Sequence, residues 1–263
     1  MGKLGKLKEI LSQLGSVVVA YSGGLDSTFL AKVAKDVLGD KVLAVTAVSA
    51  TYPKEELVAA KALAAKLGLR HRVIATDELK DVCFRSNPWN RCYFCKRELF
   101  KKLTAIAKNL GYRVVVDGSN ISDKLDLRPG DKAKKEFGVR SPLLEAGFTK
   151  SDIRRYCRRF DLDIWDKPAQ ACLASRIPYG RPITPEVIQK IYLAERYLKQ
   201  LGLKQVRLRH YEDLCRIEVM SSDFSKVISV HRRIVTRLKQ LGYRYITLDL
   251  QGYRSGSMNE IFD

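Results

Sequence analysis

The chain has 263 residues, 46% apolar and 29% charged, a make-up that buries a sizeable core and excludes a disordered tail. No run approaches the roughly 18 consecutive apolar residues of a membrane span, and the N-terminal MGKLGKLKEILSQLG lacks both an uninterrupted apolar run and a small-residue cleavage site, so a cytoplasmic protein without a membrane partner is expected. The net charge of +19 fits either a polyanionic partner such as tRNA or a lysine-rich solvated surface; with no RNA-binding motif and cations spread from end to end, nucleic acid is the lesser reading.

Residues 17–21 (VVVAY) form a β-branched run that ends at Ser22-Gly23-Gly24, and 27–38 read as a helix with Phe29, Leu30, Val33, Ala34 and Val37 on one side. A second strand follows at 42–48, an alanine-rich helix at 55–67 and a third strand at 71–75. A helix at 96–110 then leads to a fourth strand at 112–116, which ends at Asp117-Gly118-Ser119-Asn120. Strands alternating with helices are parallel βαβ units, hence an α/β fold with a doubly wound, mostly parallel sheet. Ligands of such sheets sit at the carboxyl ends of the strands, where both glycine turns fall.

Past Thr149 the pattern changes to a basic helix (150–160), a Pro- and Gly-rich loop (166–185) and a helix (185–201) with an apolar stripe of Val187, Ile191, Ala194, Leu198 and Leu201. Strands at 205–210 and 214–220, a helix at 223–241 and a strand at 244–250 complete a smaller C-terminal α+β domain. The boundary is placed near residue 180, dividing the chain into 1–180 and 181–263.

Ser22-Gly23-Gly24-Leu25-Asp26-Ser27 stands between strand and helix. Glycines there permit positive φ and close backbone approach, so successive N–H groups can converge on an anion at a helix start. Ser22 and Ser27 add hydroxyls, and Asp26 could hold a divalent cation against the phosphates. Without Gly-Lys-Ser/Thr this is not a Walker A loop. The string resembles the SGGxDS loop of the ATP pyrophosphatases, whose sheet is of the adenine nucleotide alpha hydrolase-like type. That resemblance implies that ATP with Mg²⁺ is cleaved between its α and β phosphates, that a substrate oxygen is adenylated and that a nucleophile displaces AMP. Asp117-Gly118-Ser119-Asn120 followed by Asp123 resembles the family's second nucleotide segment, with Gly118 close to ATP and Asp123 a polar contact.

Cys92 and Cys95 lie in Asn87-Pro88-Trp89-Asn90-Arg91-Cys92-Tyr93-Phe94-Cys95-Lys96, a C-x-x-C that brings two sulfurs within reach of one metal ion or cluster. Zinc would ask for four ligands, and His71, His210 and His231 are neither paired nor adjacent to it; a thioredoxin-type redox pair has the wrong neighbours. A third cysteine stands in Asp166-Lys167-Pro168-Ala169-Gln170-Ala171-Cys172-Leu173-Ala174-Ser175-Arg176. Cys83, Cys157 and Cys215 are read as core or incidental thiols.

Both cysteine segments resemble the LarE family of sulfur-inserting enzymes, as do Arg207-x-Arg209 and Arg216-Ile217-Glu218, so the likeness runs from about residue 15 to 250. It implies adenylation of a pyridinium-3,5-dicarboxylate mononucleotide and its conversion to a thiocarboxylate for a nickel-pincer cofactor. One kind of LarE protein sacrifices its own cysteine sulfur, here Cys172; the other holds a 4Fe–4S cluster on three cysteines, here Cys92, Cys95 and Cys172, and is the kind favoured. Lys96 and Arg176 are expected to offset negative charge in the reaction, with Ser175 beside them as a substrate contact. A homo-oligomer, a sulfide donor and a downstream nickel-inserting protein are the implied partners.

Alternation in the two later strands puts Arg207, Arg209, Arg216 and Glu218 on one face if they pair around Glu212-Asp213. Two guanidiniums two residues apart suit a phosphate. By resemblance, Arg207 and Arg209 bind the mononucleotide phosphate, while Glu195 and Glu218 hold a divalent ion. A tRNA-thiolating enzyme and a non-catalytic iron–sulfur or nucleotide-sensing module are the rival readings; an amidotransferase-type synthetase would leave the cysteines without a role.

Overall fold

Four short segments rich in β-branched residues make a parallel sheet: β1 (Val17–Ala20), β2 (Val42–Val48), β3 (Arg70–Ala75) and β4 (Val114–Val116), in the order β3-β2-β1-β4. A computed structural model describes residues 2–125, 129–168, 171–254 and 256–262; Ala169 and Gln170 of the quoted cysteine segment lie outside the described residues. The chain divides into two units, residues 1–84 with 90–170, and residues 85–89 with 171–263.

The helices of the first unit are α1 (Lys3–Leu14), α2 (Leu25–Leu38), α3 (Lys54–Lys66), the single turn α4 (Val82–Arg85, whose last residue belongs to the second unit), α5 (Arg91–Asn109), α6 (Gly130–Glu136), the single turn α7 (Pro142–Glu145) and α8 (Lys150–Arg159). Successive residues of a strand point to opposite faces. Val17 and Val19 therefore enter one core, with Leu7, Phe29, Ala60, Phe148 and Ile153, while Val18 enters another, with Val45, Phe100, Leu103, Val115 and Ala133. Apolar side chains from helices on both faces of a parallel sheet make the unit doubly wound, as the alternation of elements predicted. Among the described residues β3 pairs with β2 alone, and Arg70 and Arg72 are exposed along it, the charged decoration that keeps an edge strand from pairing further.

Two helix starts differ from the sequence-based expectation. Gly24 is extended (φ −83°, ψ 169°) and acts as N-cap, so α2 begins at Leu25 and Asp26 and Ser27 fall in its first turn. Asn90 caps α5, which begins at Arg91, so both C-x-x-C cysteines ride on a helix and not on the loop before it.

The second unit contains α9 (Pro185–Gln200), β5 (Val206–Tyr211), β6 (Leu214–Val219), α10 (Phe224–Ser229), α11 (His231–Gln240) and β7 (Tyr245–Leu248). β5 and β6 are antiparallel with Arg207 opposite Glu218 and Arg209 opposite Arg216, and β7 pairs parallel to β6. The single helix expected over 223–241 is broken at Val230 (φ −108°, ψ 15°). The buried stripe of α9 is Ile188, Ile191, Ala194, Glu195 and Leu198, so Val187 and Leu201 yield to Ile188 and a carboxylate. Leu173, Ala174 and Arg176 are buried in a short 3-10 turn that packs on α9 and β5, and the division accordingly falls at 170/171, ahead of residue 180.

Candidate active site

In the first unit, the turn after β1 is organised by its own serines. The Ser22 N–H donates to Ser27 Oγ (3.2 Å), the two hydroxyl oxygens are 3.1 Å apart, and the Gly24 N–H donates to Ser22 Oγ (3.3 Å). Gly23 has φ +66°, and a Cβ on it would stand 2.6 Å from Ala60 Cβ, so only glycine fits. The turn opens into the N-terminus of α2, where unsatisfied N–H groups and the helix dipole favour an anion.

The turn after β4 reaches the same place. A Cβ on Gly118 would lie 2.9 Å from the Ser27 amide nitrogen, which puts the two expected nucleotide segments in backbone contact. Asp117 is held rigidly: its Oδ1 accepts Ser141 Oγ (2.6 Å) and the Ser119 N–H (3.2 Å), and its Oδ2 accepts Ser119 Oγ (2.7 Å). Asp123 accepts the Asn120 N–H (3.0 Å) and closes this turn.

Charged groups around the phosphate turn come from far along the chain. Lys150 lies 3.3 Å from Asp26; Lys167 pairs with Glu56 (2.7 Å) and donates to the Gly23 carbonyl (3.4 Å). The Tyr52 hydroxyl donates to the Ser22 carbonyl (2.9 Å), and burial, with Glu56 nearby, pushes this phenol up to about 12. None of these four was assigned a role from sequence, since only the fold brings them to the turn. The donor set suits ATP with Mg²⁺: a carboxylate beside N–H groups that take phosphate, with the metal leaning on few protein ligands and on phosphate oxygens.

Cys92 is exposed and Cys95 half-buried in the first turns of α5, and no disulfide joins any of the cysteines. Both offer the thiol donors an iron–sulfur cluster uses. Lys96 places its ammonium 5.6 Å from the Phe100 ring centroid, and its stem packs against Gly130. Cys157 is buried, which with Asp26 nearby pushes its thiol up to about 12; burial does the same to Cys215. The core reading therefore suits those two, whereas Cys83 is exposed.

In the second unit, Cys172 is exposed at the start of the turn that buries Arg176. Arg176 is 1% exposed and binds Glu195 through two bonds (2.8 and 3.0 Å), the Ala171 carbonyl (2.8 Å) and Ser175 Oγ (3.0 Å). Burial raises the Glu195 carboxyl, but Arg176, the Leu208 N–H and Arg207 outweigh it and hold the group below its ordinary value. Arg209 repeats the pattern with Glu218 (2.9 and 2.7 Å) and adds Ser257 Oγ and the Ser175 carbonyl. Arg207 is buried too; it donates to the Val206 carbonyl (2.9 Å) and lies 5.3 Å from the Tyr253 ring, and burial with the neighbouring Arg176 depresses it.

The charged strand face is thus an interior one, not a solvated one. Each glutamate expected to hold a divalent ion is paired with a guanidinium, Glu195 with Arg176 and Glu218 with Arg209. Arg176, Arg207, Arg209, Arg216 and Arg254 face Glu195, Glu218, Asp249 and Glu260, five positive charges against four negative. The surplus charge, part of it buried, favours a bound anion.

A parallel sheet with a glycine phosphate turn at its carboxyl edge, met there by a second glycine, defines a nucleotide-binding domain of the PP-loop ATP pyrophosphatase class. Residues 6–115 match the family model described as NAD synthase. The chain is 45% identical to an uncharacterized protein of Synechocystis sp. over 98% of this chain and 97% of that one. It is 40% identical to the pyridinium-3,5-bisthiocarboxylic acid mononucleotide synthase of Lactiplantibacillus plantarum over 98% of this chain and 94% of that enzyme. A tRNA-specific 2-thiouridylase of Wolbachia pipientis is 28% identical, with 74% of this chain and 64% of the relative covered. The protein belongs to the LarE family.

Proposed function

We propose that this protein is an ATP-dependent sulfurtransferase that adenylates a carboxylate of pyridinium-3,5-dicarboxylate mononucleotide and converts it to a thiocarboxylate. The observation that carries this is the phosphate turn at Ser22–Ser27 with Gly118 against it, in a chain that matches a synthase of the bisthiocarboxylic product over nearly its full length. Mg²⁺·ATP is the first substrate: the N–H groups of the turn and of α2 take its phosphates, and Asp26 faces the cation. A carboxylate oxygen of the mononucleotide attacks the α-phosphorus, the bond to the β-phosphate oxygen breaks, and pyrophosphate leaves with that electron pair. Positive charge on Lys96 offsets the negative charge that develops, while Arg176, buried and paired with Glu195, fixes the segment that carries Cys172 and Ser175. Arg207 and Arg209 seat the mononucleotide phosphate, with Ser175 as a further contact, in keeping with the surplus positive charge around them. A 4Fe–4S cluster held by Cys92, Cys95 and Cys172 would supply the sulfide that displaces AMP. A homo-oligomer in the cytoplasm, fed by a sulfide donor and delivering to a nickel-inserting protein, is the setting proposed.

The test is pyrophosphate release from Mg²⁺·ATP with the dicarboxylate mononucleotide as acceptor. Release that depends on the mononucleotide and is abolished by Gly23→Ala is expected; full release by Gly23→Ala overturns the assigned phosphate site.

A further inference from the structure

Three ammonium groups approach the nucleotide segments of the first unit. Lys134 is shared among Asp131 (2.8 Å), Ser119 (3.0 Å) and Asp117 (3.6 Å), and Lys167 between Glu56 (2.7 Å) and the Gly23 carbonyl (3.4 Å); neither is paired with the carboxylate that faces the cation. Lys150 differs. Its partner, at 3.3 Å, is Asp26, the carboxylate assigned above to the cation of Mg²⁺·ATP. Both side chains are partly exposed, 34% for Lys150 and 22% for Asp26, so solvent and ligands can reach the pair.

The two ends of Lys150 are anchored very differently. Its backbone opens α8 directly after the N-cap Thr149, which forms a reciprocal capping box with Asp152, and its own N–H donates to Ser122 Oγ (3.0 Å). Only the four-carbon stem and its ammonium are mobile, a flexible point charge on a fixed base. A divalent ion brought to Asp26 repels an ammonium a few ångströms away. Lys150 must then leave the carboxylate, and the anion arriving with the metal is a triphosphate. A strongly hydrated point charge with three donors suits a phosphate oxygen as well as a carboxylate.

We propose that Lys150 is a stand-in cation: in the nucleotide-free protein it occupies Asp26 and keeps bare divalent ions out, and when the metal–triphosphate complex binds it passes to the phosphate chain. The site then favours a metal carried by nucleotide over a free metal, and Lys150 acts at the pyrophosphate end once seated. This rests on Asp26 as the residue that faces the cation.

The test uses the full-length protein and Mn²⁺, followed by the electron paramagnetic resonance of the free ion, for wild type, Lys150→Met, Lys150→Gln, Lys167→Met and Asp26→Asn; two replacements of Lys150 guard against one that fails to fold. Without nucleotide, both Lys150 variants should bind Mn²⁺ about tenfold more tightly than wild type, since one unit of repulsion next to the carboxylate is gone, while Lys167→Met should not. With ATP, the Lys150 variants should bind Mn²⁺·ATP about tenfold more weakly, one charge-assisted phosphate contact having been lost. A gain of Mn²⁺ affinity that ordinary neutralisation of any nearby lysine would give, seen equally in Lys167→Met, overturns the stand-in role. Unchanged Mn²⁺ affinity in both Lys150 variants, with Mn²⁺·ATP binding still lost in Asp26→Asn, overturns the proposal alone. Wild-type Mn²⁺·ATP binding by Asp26→Asn overturns the assignment of Asp26 and the proposal with it.

Discussion

Gly118 and Ser27 are in backbone contact: a Cβ on Gly118 would stand 2.9 Å from the Ser27 amide nitrogen and 3.1 Å from the Asp26 carbonyl carbon. Neither atom can yield without moving the first turn of α2, where the N–H groups that face a phosphate are carried. Gly118→Ala should therefore act on nucleotide binding before it acts on folding. Overpacking of this kind costs about 1–3 kcal/mol, and the expected result is a loss of ATP affinity of about tenfold or more with a melting temperature within a few degrees of wild type. Equilibrium dialysis of ATP with a thermal melt checks both halves.

Gly23 adds a second constraint, because its φ of +66° is combined with a Cβ path that ends 2.6 Å from Ala60 Cβ. Gly23→Ala should abolish pyrophosphate release. The double variant with Ala60→Gly removes the 2.6 Å contact but leaves the residue-60 Cα at 2.9 Å and the positive φ, so no more than partial release should return. Full release by Gly23→Ala alone would show that neither the contact nor the φ matters to the phosphate turn.

The phosphate turn was legible in the sequence because all its parts are local: Ser22, Gly23, Gly24, Asp26 and Ser27 lie within one turn, and the valine run before them marks the strand that carries it. Its surroundings were not. Lys150 and Lys167 reach it across 124 and 144 positions, and nothing in their immediate neighbours distinguishes them from other surface lysines. The same limit explains α9. Its apolar periodicity is clear, but Glu195 is inside because its partners come from elsewhere in the chain: Arg176, in a segment without periodicity, and the Leu208 N–H. The alternation of Arg207 and Arg209 with valine and leucine gave the shared face correctly, yet not that this face is buried. The short helices α6 and α7 span seven and four residues, too few to repeat a 3.6-residue pattern convincingly.

The Arg176–Glu195 pair makes a stability prediction. Removal of one partner leaves a buried guanidinium uncompensated, which typically costs 3–5 kcal/mol, so Glu195→Gln should lower the denaturation midpoint severely. Replacement of both by apolar residues, Arg176→Met with Glu195→Leu, should restore much of that stability while mononucleotide binding stays lost. Denaturant titration with calorimetric binding of the mononucleotide separates the two outcomes.

Asp152 provides a pH test in the first unit. Its carboxylate accepts the Lys3 ammonium at 2.6 Å and closes the capping box of α8, and the Lys3 hydrogen bond leads in holding it at about 2, well below the ordinary carboxylate range. A carboxyl depressed in the folded state stabilises it above its unfolded value, and that contribution is lost as pH falls through the folded value. Asp152→Asn should therefore cost about 1 kcal/mol at neutral pH, the size of a capping interaction with a screened ion pair. The gap between variant and wild type should close between about pH 4 and pH 2. Thermal melts across that window check it.

Iron chemistry is tested independently of ATP. After strictly anaerobic purification the wild type should contain about four iron and four acid-labile sulfide per protomer, and Cys92→Ala should lose both. Iron-free wild-type protein would leave Cys172 as a sacrificial donor, which mass spectrometry would reveal as dehydroalanine after one turnover.

Sulfur transfer itself is measured most directly by counting thiocarboxylate product per protomer, by mass spectrometry, in an anaerobic reaction with Mg²⁺·ATP, the dicarboxylate mononucleotide and added sulfide. The account predicts ATP-dependent product that exceeds one per protomer in the wild type and is absent in Gly23→Ala. Pyrophosphate release with no sulfur in the mononucleotide would contradict it.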